Sequence, residues 1–147
     1  MVQEQALVPE DEHRAMFETN YFGVLRVLRA VLPAMREAGK GQIFNVSSQL
    51  GRVIAPSAGH YCATKFAVEA MSEQLAYELV PHNIEVSIIE PGGYPTEVWV
   101  NRNIYTAALK RRAEDLHTEG YPQVVASMGT EDGSGRSANP LDIPAAI

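Results

Sequence analysis

Apolar residues recur at Tyr21, Val24, Leu25, Leu28, Val31, Leu32 and Met35, the spacing of one helical face. Pro9-Glu10-Asp11-Glu12 suits the start of that helix. Proline fits a first helical position, and acids there meet the positive end of the helix dipole. Gly39-Lys40-Gly41 stops it, and Pro33 within the pattern predicts a kink. Residues 42–48 (Gln-Ile-Phe-Asn-Val-Ser-Ser) are short, mostly apolar and β-prone, which predicts a strand buried on both faces. After a Gly/Pro/Ser-containing loop over 51–59, a second helix is expected over 61–79, with Val68, Met71, Leu75 and Leu79 on one face. Pro81-His82-Asn83 closes it. Residues 84–90 (Ile-Glu-Val-Ser-Ile-Ile-Glu) form the next strand, and Pro91-Gly92-Gly93 is a sharp break.

The order helix, strand, helix, strand implies parallel strands joined by a right-handed crossover, the grammar of a doubly wound α/β sheet. Beyond Gly93 the pattern weakens. A helix is expected over 104–118, a flexible loop over 129–140 and the opening turn of a further helix over 141–147. Tyr94, Val98, Trp99, Ile104, Tyr105 and Met128 form an apolar-aromatic set suited to cover a hydrophobic substrate. The length, 147 residues, suits a single domain, 1–147. Two strands make a poor sheet, so the natural protein is expected to continue on both sides. The exposed edge of the first strand predicts a homo-oligomer.

Twelve basic against eighteen acidic residues give a net charge of −6. That balance argues against a nucleic-acid partner or an anionic membrane, since both need a positive surface. No run approaches the roughly 18 apolar residues that span a bilayer, and the first residues lack the pattern of a secretory signal. The single cysteine, Cys62, cannot form an internal disulfide, and a reducing cytoplasmic setting follows most simply. His13, His60, His82 and His117 show no metal-ligand spacing, so no metal is expected. Asn45-Val46-Ser47 matches a glycosylation sequon but falls in the buried strand and is discounted.

Tyr61 and Lys65 lie one helical turn apart on one face. A free tyrosine, with a pKa of about 10, is a poor base at neutral pH. A nearby ammonium favours the phenolate and lowers that pKa, which makes a sensible acid/base for an alcohol proton. Ser48 falls at the carboxyl end of the first strand, where ligands of α/β sheets bind. Its hydroxyl could hold a substrate oxygen near the tyrosine.

Four segments then appear in order: Asn20-Tyr21-Phe22-Gly23, Asn45-Val46-Ser47-Ser48-Gln49-Leu50-Gly51, Tyr61-Cys62-Ala63-Thr64-Lys65 and Pro91-Gly92-Gly93-Tyr94-Pro95-Thr96. Ser48 precedes Tyr61 by thirteen residues. The set closely resembles the short-chain dehydrogenase/reductase family over residues 8–97, with its Asn-Ser-Tyr-Lys tetrad and its Pro-Gly-x-x-x-Thr loop. The resemblance implies an NAD(P)-dependent oxidoreductase, acting on a small-molecule alcohol or carbonyl substrate. In it Tyr61 is the general acid/base. Lys65 lowers the tyrosine pKa and binds the nicotinamide ribose. Ser48 orients the substrate oxygen, and Asn20 holds a water that links Lys65 to solvent. Pro91, Gly92 and Thr96 would sit against the nicotinamide. The two long helices match a pair that packs between subunits in related enzymes.

The family's glycine-rich loop, Gly-x-x-x-Gly-x-Gly, is absent here. The expected fold is therefore a partial doubly wound, Rossmann-like parallel sheet that lacks the N-terminal dinucleotide-binding strands. The choice between NAD and NADP would lie in the missing part. The rival expectation is a non-catalytic, truncated fragment that folds or associates through its long helices without binding cofactor.

Overall fold

The computed structural model describes residues 8–55, 58–112, 119, 122–127 and 138–147. The chain divides into two units, one of Glu10–Glu90 and one of Met1–Pro9 with Pro91–Ile147.

In the first unit the expected helix forms as Glu10–Phe17 (α1), a π-helical turn at Glu18–Phe22, and Gly23–Ala38 (α2). Its acidic first turn holds Glu10, Asp11 and Glu12. Gly39 ends α2 with φ of 62°, a left-handed conformation that glycine adopts without a Cβ penalty. Strand β1 spans Gly41–Val46 and β2 spans Ile84–Ile89. Between them runs α3, Gly59–Leu79, which starts two residues earlier than the periodicity suggests. A short 3-10 turn, Val80–His82, and the left-handed Asn83 return the chain to β2. The Asn83 amide also donates to the Gly39 carbonyl at 3.2 Å, tying the two turns together.

The strands pair in parallel from Gly41 with Ile84 to Val46 with Ile89. The ladder gains one more bond, from the Ser47 amide to the Ile89 carbonyl at 2.7 Å. Leu28 of α2, Ile43 of β1, Leu75 and Leu79 of α3 and Ile84 of β2 form one buried cluster. Val24, Leu32, Met35, Met71 and Val86 pack around it. Complete burial of each such aliphatic side chain contributes about 1.5–3 kcal/mol.

One expectation about the sheet is corrected. On β1, Ile43 and Asn45 are buried, but Phe44 and Val46 are 40% and 53% exposed. Alternate residues of a strand point to opposite faces. Both α2 and α3 contribute to the cluster on the Ile43 face, so only that face of the strand is covered. The partial α/β architecture otherwise stands, as a two-stranded parallel sheet with helices.

The described elements of the second unit are helices. Its first helix, α4, spans Val98–Arg112, six residues ahead of the expected start. The Thr96 hydroxyl accepts from the Val98 amide at 3.4 Å and the Trp99 amide reaches the Thr96 carbonyl at 3.3 Å, which begins the winding at Thr96. Residues 113–118 of the expected helix, most of the 129–140 loop and Met128 lie outside the described residues. Pro122–Ser127 (α5) and Asp142–Ala145 (α6) follow, the latter within the expected helical turn. Val98, Ile104 and Tyr105 are exposed. Among the described residues no helix is long and apolar enough to cross a membrane.

Candidate active site at the carboxyl end of β1

Three side chains meet where β1 ends. Ser48 follows the strand and caps a short 3-10 turn, Gln49–Gly51. Its hydroxyl accepts from the Leu50 amide at 3.1 Å, and the Ser48 carbonyl accepts from the Gly51 amide at 2.8 Å. Self-capping of this kind fixes a serine better than an open loop does. Ser48 is also hydrogen-bonded to the side chain of Tyr61, in the first turn of α3. Lys65, one turn further along, donates from Nζ to the Val46 carbonyl at 3.1 Å. That carbonyl belongs to the last residue of β1. The Lys65 nitrogen stands 5.7 Å from the centroid of the Tyr61 ring.

The electrostatics depart from the expected pattern. Burial pushes the Tyr61 phenol above its ordinary value, and the Ser48 hydrogen bond only partly offsets this. Burial likewise pulls the Lys65 ammonium down, partly offset by Glu69. The expected lowering of the tyrosine by the lysine is therefore not the dominant effect in this chain. Desolvation, which disfavours the charged form of either group, outweighs an ammonium at this distance from the ring.

Asn20 occupies the π-helical turn, not the regular helix that its neighbours' periodicity suggests. The turn closes with the Gly23 amide donating to the Glu18 carbonyl. Such single π-turns recur at functional sites. From there the Asn20 amide donates to Thr64 Oγ1 at 3.1 Å, and Thr64 donates to the Tyr61 carbonyl at 2.8 Å. Asn20 thus grips the turn of α3 that carries both Tyr61 and Lys65. Thr64, fully buried, is a link that sequence reasoning missed.

Two further groups were not foreseen. Asn45, buried on β1, donates to Ser72 Oγ at 2.8 Å, and Ser72 donates to the Val68 carbonyl. The burial of Asn45 agrees with discounting the sequon. Arg52, just past the 3-10 turn, meets Glu69, Glu73 and Glu90. The only sequence signal for it is the pair of acids four apart on α3, at 69 and 73. Cys62 is buried, as its packing role requires.

Asn20, Ser48, Tyr61 and Lys65 all lie in the Glu10–Glu90 unit, while Pro91, Gly92 and Thr96 belong to the other. Within that second unit the Thr96 amide donates to the Tyr94 carbonyl at 3.0 Å, and the Trp99 indole donates to the same carbonyl at 2.7 Å. Among the described residues no group of three or more His, Cys, Asp or Glu is placed to hold a metal.

Comparison with known proteins gives this geometry its setting. A family model described as short chain dehydrogenase matches residues 1–106. A 3-ketodihydrosphingosine reductase of Bacteroides thetaiotaomicron is 46% identical over 98 residues, 67% of this chain and 36% of that protein. The chain thus spans about a third of that relative's length. A short chain dehydrogenase from Burkholderia cenocepacia, solved in complex with NADP, aligns with a TM-score of 0.59 and 31% identity, over 80% of this chain and 56% of its own. A xylitol dehydrogenase solved with NAD+ bound aligns with a TM-score of 0.62 and 26% identity, over 86% and 56%. With the family model matching 106 of the 147 residues, and similar structures that include NADP- and NAD+-bound dehydrogenases, the chain belongs to the short-chain dehydrogenase family.

Proposed function

We propose that this chain is the proton-transfer part of an NAD(P)-dependent oxidoreductase that interconverts an alcohol and a ketone or aldehyde. The observation that carries this is the meeting of Ser48, Tyr61 and Lys65 at the carboxyl end of β1. In the direction of oxidation, Tyr61 takes the proton of the substrate hydroxyl; in reduction it returns it. Ser48, fixed by its own turn, holds the substrate oxygen beside the phenol. Lys65 supplies positive charge next to the developing phenolate and so eases an ionisation that burial opposes. Asn20, through Thr64, keeps the Tyr61–Lys65 turn in place.

The residues present fit one end of a nicotinamide cofactor. A lysine ammonium carries three donors, and the Val46 carbonyl uses one. The others, with the Tyr61 hydroxyl, suit the two hydroxyls of a ribose. Pro91, Gly92 and Thr96 are the candidates to lie against the nicotinamide. When bound, that group supplies the hydride chemistry. No glycine-rich loop for a pyrophosphate is present in the sequence. Binding by this chain alone is therefore expected to be weak or absent.

A second reading is favoured by the open face of β1: a fragment that associates without binding cofactor. Titration of NADH and NADPH by fluorescence separates the two. Micromolar binding, with alcohol turnover lost in Tyr61→Phe, supports the enzyme. Binding with turnover that Tyr61→Phe leaves unchanged would overturn the role given to Tyr61, and binding and turnover both absent, in a chain whose circular dichroism is helical, favour the fragment reading. The exposed apolar face and strand edge support self-association, and the lone buried cysteine fits a reducing, cytoplasmic setting.

A further inference from the structure

Arg52 touches three acids that lie far from it in the chain. Its Nε donates to Glu90 Oε1 at 3.0 Å and its Nη1 to Glu73 Oε1 at 2.8 Å, while Nη2 stands 3.0 Å from Glu69 Oε2. Glu73 is half-exposed, but the Glu69 side chain is only 4% exposed. Neither Glu69 oxygen accepts a hydrogen bond among the described residues. A buried carboxylate in that condition needs a counter-charge, and the Arg52 guanidinium is the ion paired with it. A guanidinium can serve three carboxylates at once because its donors form a flat, fixed fork.

The backbone tells the same story from the steric side. Ser48, Gln49, Leu50, Gly51 and Arg52 are wound tightly together, with the Arg52 amide donating to the Gln49 carbonyl at 3.1 Å. Gly51 presses on α3 so closely that a Cβ there would come 2.9 Å from both Cγ and Oε1 of Glu69 and 2.7 Å from Ser47 Oγ. One helix, α3, therefore carries Tyr61 and Lys65 in its first turns and the Arg52 partners Glu69 and Glu73 in the next.

We propose that Arg52 is a positioning residue: with Gly51 it clamps the Ser48 turn onto α3 and onto the end of β2, and so holds the Ser48 hydroxyl against Tyr61. The consequence for turnover rests on the proton-transfer role given to Ser48 and Tyr61 above. The clamp itself does not, and it can be read without cofactor or substrate.

The readout is the ionisation of Tyr61 in the full chain, taken as the ultraviolet difference against Tyr61→Phe across a pH titration. Cys62 and Lys65 share the turn with Tyr61 and are left unchanged in every variant. Ser48→Ala removes the hydrogen bond that favours the phenolate, and should raise the midpoint by roughly half a pH unit to one unit. Arg52→Met should raise it to a similar extent, and adding Arg52→Met to Ser48→Ala should add nothing further. Arg52→Lys, which keeps the charge but not the fork, should behave as Arg52→Met. Gly51→Ala, which keeps Arg52 itself, should also raise it. Arg14→Gln, which breaks only the exposed pair with Glu10, should leave it in place.

An Arg52→Lys midpoint equal to that of the parent would overturn the proposal, because charge alone would then suffice. Additive shifts in the Ser48→Ala, Arg52→Met double variant would overturn it too, because the two residues would act independently. Should Arg52→Met fail to fold by circular dichroism, Arg52→Lys and Gly51→Ala decide the matter. A chain without NADH binding or turnover should still show these shifts, so the clamp and the catalytic role are tested separately.

Discussion

The two ends of α3 sit on the same sheet and do different work. At its amino end Tyr61, Thr64 and Lys65 are held by directional bonds: to Ser48, to Asn20 and the Tyr61 carbonyl, and to the Val46 carbonyl. At its carboxyl end Leu75 and Leu79 are held by burial against Leu28, Ile43 and Ile84. Burial of apolar surface is non-directional and tolerates small adjustments; a proton-transfer site does not. The helix therefore packs by apolar burial at one end and carries the proposed chemistry at the other. Between them the Asn45–Ser72 bond ties the middle of the helix to β1.

Changes at the two ends should separate cleanly. The largest effect is expected at the chemical end: in the cofactor-binding protein, Tyr61→Phe should lower turnover by about 100-fold or more, with little change in the denaturation midpoint. The reverse is expected at Leu79, which is fully buried. Leu79→Ala should destabilise by about 2–5 kcal/mol in urea unfolding, and where the chain remains folded the Tyr61 ionisation should not move. A moved ionisation would mean that the two ends are coupled. In the middle, Ser72→Ala leaves the buried Asn45 amide without its acceptor and should cost about 1–3 kcal/mol by the same measurement.

The smallest expected effect is the pH dependence of stability. Lys65 is lowered from 10.5 by burial, so between its lowered value and 10.5 the unfolded chain binds the extra proton. Stability should rise with pH across that window, and Lys65→Met should flatten the rise. Tyr61 is raised from 10.0, so above that pH the folded chain keeps a proton that the unfolded chain has lost. Stability from this group should then fall with rising pH, and Tyr61→Phe should remove the fall. Both groups are partly open to solvent, so the slopes should be shallow. Denaturant unfolding at a series of pH values measures them.

Much of the fold was legible because it depends on neighbours in the chain. Gly39 could be read as a helix stop because a left-handed residue costs glycine little, and the parallel pair could be read from the helix between two apolar runs. Burial on both faces of β1 could not, because it depends on which other elements cover the strand. The start of α4 was misplaced because it is set by hydrogen bonds at Thr96, while the apolar pattern becomes regular only later. Nothing in the residue types of Glu18–Phe22 announces the π-turn that aims Asn20 at Thr64. The comparisons bear out the family and its NAD(P) chemistry, while the role of each site residue is a proposal.

The sequence by itself determined which groups are candidates for the site and their order: Asn20, Ser48, Tyr61, Lys65. Spacing alone puts Tyr61 and Lys65 on one helical face, because a helix repeats every 3.6 residues. Only the tertiary structure decided their state. Whether the phenol is raised or lowered depends on burial and on distances to groups elsewhere in the chain. The link between Arg52 and Glu69, Glu73 and Glu90 was equally out of reach, since it arises only when a turn, a helix and the end of a strand are folded against one another.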